Sequence, residues 1–176
     1  MQEWEEEQSE DRIQEADTKL KEIVSDMRNY IFNVFRKVHG EQNALYWERG
    51  VTDKAIKAAA YGRSLDTDAE ERLPLETYLE VVEMKKIVEN KNNWPLFKAA
   101  LNIPEPGERG LAKNLKWMER INELRRIPAH PARERHYKIE DFEYIDFVHA
   151  GLMKRLSDAE TAPLPEITAA TGETDD

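Results

Sequence analysis

Apolar residues recur at steps of three and four along most of the chain, which is the spacing that places them on one face of an α-helix. The longest stripe begins at Leu20 and stops just before Gly40, a residue type that commonly terminates helices. Because this spacing ordinarily marks a buried face, we interpret the stripe as core or as a dimer seam. Its members are Leu20, Ile23, Val24, Met27, Ile31, Val34, Phe35 and Val38.

Two short helices are predicted in the next part of the chain. Thr52 or Asp53 provides a cap for a helix through Ala60. Trp94-Pro95 begins the other, since proline is well tolerated in the first turn of a helix. The apolar residues that we expect to face inward are Val51, Ala55, Ile56 and Ala59 in the first and Phe97, Ala100 and Leu101 in the second.

Between these helices, residues 62–74 are predicted to be a loop, and residues 75–89 a further helix. The inward positions of that helix are Leu75, Leu79 and Val82. The β-branched pair at 81–82 leaves a short strand open as the alternative.

Another apolar stripe ends abruptly at Pro128. Proline lacks a backbone N–H and disfavours the helical conformation of the residue before it, so we expect this helix to finish near Arg126. The stripe consists of Leu111, Leu115, Met118, Ile121 and Leu124. Asp141 is then expected to cap a last helix with Phe142, Ile145, Val148, Leu152 and Leu156 inward.

Together these stripes predict an all-α fold, a bundle of four or five main helices with short additional helices. We expect residues 1–17 to be an acidic, exposed N-terminal extension, residues 18–156 the helical domain, and residues 157–176 a disordered acidic tail.

The distribution of charge matters more than the net charge of −10. Residues 1–26 hold −7 and residues 157–176 hold −6, so the middle of the chain is positive. Residues 111–138 alone carry eight bases against three acids, which is a plausible footprint for phosphate. The alternative is a solvated helix face with pairs such as Arg120 with Glu123.

Other sequence features restrict the kind of protein and the kind of site. The chain has no cysteine, and therefore neither disulfides nor thiolate metal sites. No run of about 20 apolar residues is present, and the N-terminus lacks the pattern of a signal peptide. We therefore expect a cytoplasmic protein without membrane attachment. Neither the histidine spacing of a zinc site nor a glycine-rich phosphate loop is found.

The end of the stripe before Pro128 places arginines and a histidine close together in sequence. Arg125 and Arg126 stay charged at all relevant pH values, and the imidazole of His130 has an ordinary pKa near 6.5. This combination suits proton transfer beside a phosphate. A histidine that only caps or packs against the helix end is the alternative.

Residues 122–131, NELRRIPAHP, resemble the signature segment of HEPN domains, which are helical modules of many RNases and toxins. The resemblance is to the Swt-like branch and covers roughly residues 18–156. Further segments that resemble its successive helices are 20–31 (LKEIVSDMRNYI), 45–47 (LYW), 78–79 (YL), 84–88 (MKKIV) and 93–97 (NWPLF).

This resemblance implies an HEPN-like bundle that cleaves RNA without a metal ion or other cofactor, in a toxin or anti-phage defence system. It implies that Arg125 and His130 are catalytic, and that two copies form a homodimer around a shared cleft. We expect Arg126, Arg133 and Lys138 to bind the RNA substrate.

A second function stays open. Where the family commonly has Asn, Asp or His after the motif arginine, this chain has Arg126, which cannot accept a hydrogen bond. Swt-like HEPN domains also occur with ATPases and helicases. The alternative is therefore a non-catalytic dimerisation or nucleic-acid-docking subunit, with an ATPase, helicase or antitoxin protein as partner.

Overall fold

Helices make up most of the chain, and the all-α prediction is confirmed. The computed structural model describes residues 2–105, 114–126 and 137–164, with side chains from residue 10 onward. These residues contain seven α-helices and no β-strand. None of the helices in this part of the chain is both long and apolar enough to cross a membrane. The helices are α1 (Gln2–His39), α2 (Leu45–Gly50), α3 (Lys54–Ser64), α4 (Val81–Glu89), α5 (Trp94–Leu101), α6 (Lys116–Arg126) and α7 (Ile139–Thr161).

Helix α1 is the element against which the bundle packs. Its 38 residues correspond to a length of about 57 Å, and it contacts α2, α4, α6 and α7. The predicted stripe is buried from Leu20 through Phe35, while Val38 is half-buried. Phe32 is also fully buried, so the apolar face is wider than the stripe that spacing alone defines.

Gly40 ends α1, as expected. Its φ of 89° lies in the left-handed region, which glycine adopts without a steric penalty. Its N–H donates to the carbonyl of Arg36 at 3.0 Å, and its own carbonyl accepts from the N–H of Tyr46 at 2.9 Å. The chain therefore reverses directly into α2.

The N-terminal part of α1 packs against α7. Ala16 is buried, and Ile13 is partly buried against the same core. The guanidinium carbon of Arg12 lies 4.4 Å from the ring centre of Phe142. Packed structure thus begins within residues 10–17, which composition alone predicts to be an exposed extension.

The prediction of one continuous helix over residues 75–89 was wrong, and so was part of the set of residues expected to face inward. Residues Leu75–Tyr78 form a 3-10 turn, the next two residues are not helical, and α4 begins at Val81. Glu80 is the N-cap residue, and its N–H donates to Glu83 Oε1 at 2.9 Å. This interruption resets the helical register, so Val82 is 37% exposed rather than inward. The buried face consists of Val81, Met84, Ile87 and Val88.

The predicted N-cap of α3 is confirmed, whereas the predicted N-cap of α7 is wrong. Asp53 caps α3, because its Oδ1 accepts from the N–H groups of Ala55 at 2.9 Å and Ile56 at 3.2 Å. Ala55 is exposed rather than inward. Asp141 is not the cap of α7; it lies in the first turn and accepts from the N–H of Lys138 at 2.8 Å.

A tryptophan that spacing did not single out connects α6 to the end of α5. Trp117 is fully buried, and its Nε1 donates to the carbonyl of Leu101 at 3.0 Å. The predicted inward residues of α6 from Leu115 to Leu124 are buried, while Leu111 lies outside the described residues. Helix α7 continues through Thr161, into the segment predicted to be disordered, and its Leu156 is half-buried.

Candidate functional site

The last turn of α6 presents two arginines to solvent. Ile121 and Leu124 are buried by the packing of this helix against α4 and α1, which leaves the next two positions outside the apolar face. Arg125 and Arg126 are both exposed. Neither forms an ion pair with any acid in the described part of the chain. No acid among the described residues therefore neutralises either guanidinium group.

A third arginine, Arg28 of α1, lies within electrostatic range of Arg125. It is half-buried, one of its Nη groups donates to the carbonyl of Leu79 at 3.3 Å, and its Nε is buried without a hydrogen-bond partner among the described residues. Burial lowers the pKa of Arg28, the positive charge of Arg125 lowers it further, and Glu76 acts in the opposite direction. Arginine still remains protonated. The two like charges therefore repel each other, and an anion within range of both would be attracted to each of them.

The acid that offsets the charge of Arg28, Glu76, is already engaged by other side chains. Glu76 is buried, forms a short ion pair with Arg36, and accepts a hydrogen bond from the hydroxyl of Tyr46 at 3.2 Å. The guanidinium carbon of Arg36 also lies 4.3 Å from the ring centre of Tyr46. Because Glu76 already has two partners, it offsets the charge of Arg28 only at a distance.

Both other basic residues of α6 have an acidic partner. Arg120 lies 3.5 Å from Glu105, and its guanidinium carbon is 3.7 Å from the ring centre of Tyr144. Lys116 lies 3.9 Å from Glu105 as well. A basic surface was predicted from residues 111–138. On α6, only the exposed arginines at its end contribute to that surface without an acidic partner among the described residues.

The segment that carries Lys138 contacts α1 at a different point from Arg28. It is exposed, and the hydroxyl of its neighbour Tyr137 donates to Asp17 Oδ1 at 2.6 Å. Asp17 and Arg28 are eleven residues apart, or about 16 Å along the helix axis. Lys138 therefore flanks the arginine pair at a distance instead of joining it directly.

Two of the five predicted site residues, His130 and Arg133, lie outside the described residues. The two histidines that the structure does describe have local partners. His39 packs against the ring of Phe35, and burial lowers its pKa, with a smaller effect from Arg49. His149 Nε2 lies 2.7 Å from a carboxylate oxygen of Glu22. Both are therefore accounted for by packing and pairing within the bundle.

Arg28 is the site residue that the sequence reasoning missed. A signal for it was present, because it lies four residues from Val24 and four from Phe32, both of which are buried. A cation at the centre of an apolar stripe at helical spacing indicates a charge held at the edge of the core. Such a charge is costly without a partner, and is therefore a candidate for ligand binding.

Comparisons with known proteins add no relative to this picture. No family model, curated protein or solved structure matches the chain. Within the described residues, no group of three or more His, Cys, Asp or Glu side chains has an arrangement that could hold a metal ion.

Proposed function

We propose that the chain is an HEPN-type RNA-binding protein that cleaves RNA without a metal ion. The observation that carries the proposal is that Arg28 and Arg125, neither of which has an ion-pair partner among the described residues, lie within electrostatic range of each other, with Arg125 exposed at the end of α6. A phosphodiester supplies the missing negative charge and the oxygen acceptors for both forks. This pairing favours phosphate over a neutral ligand.

The proposed roles follow from chemistry. Arg125 donates two N–H groups to the phosphate, Arg28 adds a second positive charge, and Arg126 contacts the adjoining strand. His130 removes the proton of the ribose 2′-hydroxyl, which attacks the neighbouring phosphorus and displaces the 5′-oxygen of the next nucleotide. A second proton donor is needed for that leaving oxygen. The products are a 2′,3′-cyclic phosphate and a free 5′-hydroxyl.

The need for two proton-transfer groups supports a homodimer. Each chain brings one His130, so two copies facing a common cleft supply both the base and the acid. Arg133 and Lys138 then hold the strand on either side of the cleavage point. We place the protein in a toxin or antiviral defence system, where an antitoxin, ATPase or helicase restrains or directs it.

One sequence feature favours the second candidate, an RNA-docking subunit without cleavage. Arg126 stands where the family commonly has a residue that accepts a hydrogen bond, and a guanidinium has no acceptor. In that case the arginines bind RNA, and His130 has no role in chemistry.

A binding experiment tests whether the protein binds RNA, which both candidate functions require. We expect affinity for a single-stranded RNA to fall with salt, and replacement of Arg125 by Gln to reduce the slope of log K against log salt concentration by about 0.7. Lys54→Gln removes an equal charge from the exposed start of α3, and should leave the slope unchanged. Equal slopes for the two variants would show that Arg125 does not contact a phosphate.

Cleavage is tested separately, with total RNA in chelator. Wild type should generate fragments with 2′,3′-cyclic phosphate ends, while His130→Ala should be inactive and Arg125→Lys strongly impaired, because a point charge cannot replace a two-pronged contact. Sedimentation at tens of micromolar reports whether the homodimer forms. RNA binding without fragments in wild type would select the docking subunit.

A further inference from the structure

A groove between α5 and α7 shares no lining residue with the arginine site. It has a volume of about 730 Å³ and lies between α5, the C-terminal half of α7 and residues 162–164. Tyr30 of α1 and Leu164 are among the residues that line it. This volume is within the range of about 300–1,000 Å³ that is typical of small-ligand sites.

Small side chains on the two facing helices create the groove. Pro95 and Ala99 lie four residues apart on α5, and Arg155 and Ala159 are spaced in the same way on α7. The helices contact each other, but the alanines are too short to fill the space between them. The walls are consequently apolar and open to solvent, and burial of such a surface by a ligand is favourable.

Two cations border these apolar walls. Lys98 lies on the α5 side and Arg155 on the α7 side, and neither pairs with an acid anywhere in the described ranges. One Nη of Arg155 donates to the carbonyl of Gly151 at 3.0 Å, within the same helix. A Cβ on residue 151 would lie 3.0 Å from that nitrogen, so glycine leaves the space the guanidinium occupies. The remaining N–H groups of Arg155 are available to an anion.

The polar groups around the groove are arranged asymmetrically. Burial raises the pKa of Tyr30, so its hydroxyl remains a hydrogen-bond donor at neutral pH. An adjoining cavity of about 460 Å³ shares Tyr30, Ala159, Ala162 and Leu164 with the groove, and its charged lining residues are Asp26, Glu160 and Lys37. The groove is lined by two bases and no acid, whereas the adjoining cavity is lined by two acids and one base, so an anionic group is favoured beside Lys98 and Arg155 over the adjoining cavity.

We propose that this groove binds a small amphipathic molecule with an apolar body and a single carboxylate, such as a medium-chain fatty acid. The carboxylate accepts from Arg155 and Lys98, and the apolar body covers Ala99 and Ala159. A single carboxylate matches the local pair of cations, whereas a strongly acidic polypeptide is repelled at longer range by the net charge of −10. The ligand class therefore follows from the local charges, the apolar walls and the volume.

Titration of the full-length ¹⁵N-labelled chain with sodium octanoate tests the proposal. We expect saturable shifts of the backbone amide signals of Ala99, Asn102 and Ala159, with a dissociation constant in about the millimolar range for a ligand of this size. Arg155→Gln should weaken binding about tenfold through the loss of a charged hydrogen bond. Lys154→Gln removes the same charge from the adjacent exposed position and should change affinity by less than about twofold.

Two comparisons determine whether the carboxylate and the apolar body are both recognised. Octanamide, which keeps the apolar body without the charge, should bind about tenfold more weakly than octanoate. Equal binding of the two compounds, equal affinity of Arg155→Gln and wild type, or an absence of shifts at the groove would each overturn the proposal. A synthetic peptide of residues 165–176 that shifts the same signals at lower concentration than octanoate would also overturn it, by assigning the groove to an acidic segment of this chain.

Discussion

The contact between Gly50 and Phe35 allows the effect of one added methyl group to be estimated from the structure. A Cβ on Gly50 would lie 2.6 Å from Phe35 Cδ2 and 2.7 Å from Cγ. Ordinary carbon contacts are about 3.5–4.0 Å, so the shortfall is about 1 Å. The ring has little freedom to move, because it is fully buried and packs against the rings of Phe32 at 5.5 Å and Phe97 at 5.2 Å.

We therefore expect Gly50→Ala to destabilise the fold. Overpacking of a filled core costs about 1–3 kcal/mol, and the better helix propensity of alanine offsets less than about 1 kcal/mol at the last residue of α2. A net loss of about 2 kcal/mol corresponds to a decrease in melting temperature of about 4–8 °C for a chain of this size. The displacement would also move α2, which carries the Tyr46 that donates to Glu76.

Urea unfolding followed by far-ultraviolet circular dichroism measures the effect, with Gly62→Ala as the matched control. A Cβ on Gly62 meets nothing within 4 Å, and the residue lies inside α3, so this variant should gain about 0.5–1 kcal/mol. If Gly50→Ala were as stable as wild type, or gained as much as Gly62→Ala, the close packing of α2 on Phe35 would be refuted.

Three further predictions concern single side chains. Tyr137→Phe should cost about 1–2 kcal/mol in urea unfolding, because it removes a partly buried hydrogen bond to Asp17, whereas an unchanged midpoint would show that this bond contributes nothing. Because the pKa of His39 is below its ordinary value in the folded chain, its contribution to stability is present above pH 6.5 and is lost as pH falls through the folded pKa. His39→Gln should therefore flatten the loss of stability between about pH 7 and 5, and curves parallel to wild type would contradict this sign. Gly151→Ala should raise the melting temperature by about 1–3 °C, since only the flexible end of Arg155 must shift, and a lower melting temperature would mean that this end cannot move.

Features set by neighbours in sequence were predictable. The buried face of α1 follows from apolar residues three and four apart, and the caps at Gly40 and Asp53 depend on residues within one turn. The same local reasoning failed at residues 79–80, where a short non-helical interruption changed the phase of everything that followed. Periodicity states which residues share a face only while the helix is continuous.

The arginine site depends on contacts that no local pattern contains. Arg28 and Arg125 are 97 positions apart, and Glu76 is engaged by Arg36 across 40 positions. Whether a basic residue is neutralised depends on which acid the fold brings beside it, and Coulomb energy varies with distance in space, not with separation along the chain. The sequence by itself determined an all-α bundle with arginines at the end of one helix. Only the tertiary structure decided that a half-buried Arg28 lies within electrostatic range of Arg125, and that small residues on α5 and α7 leave a groove between those two helices.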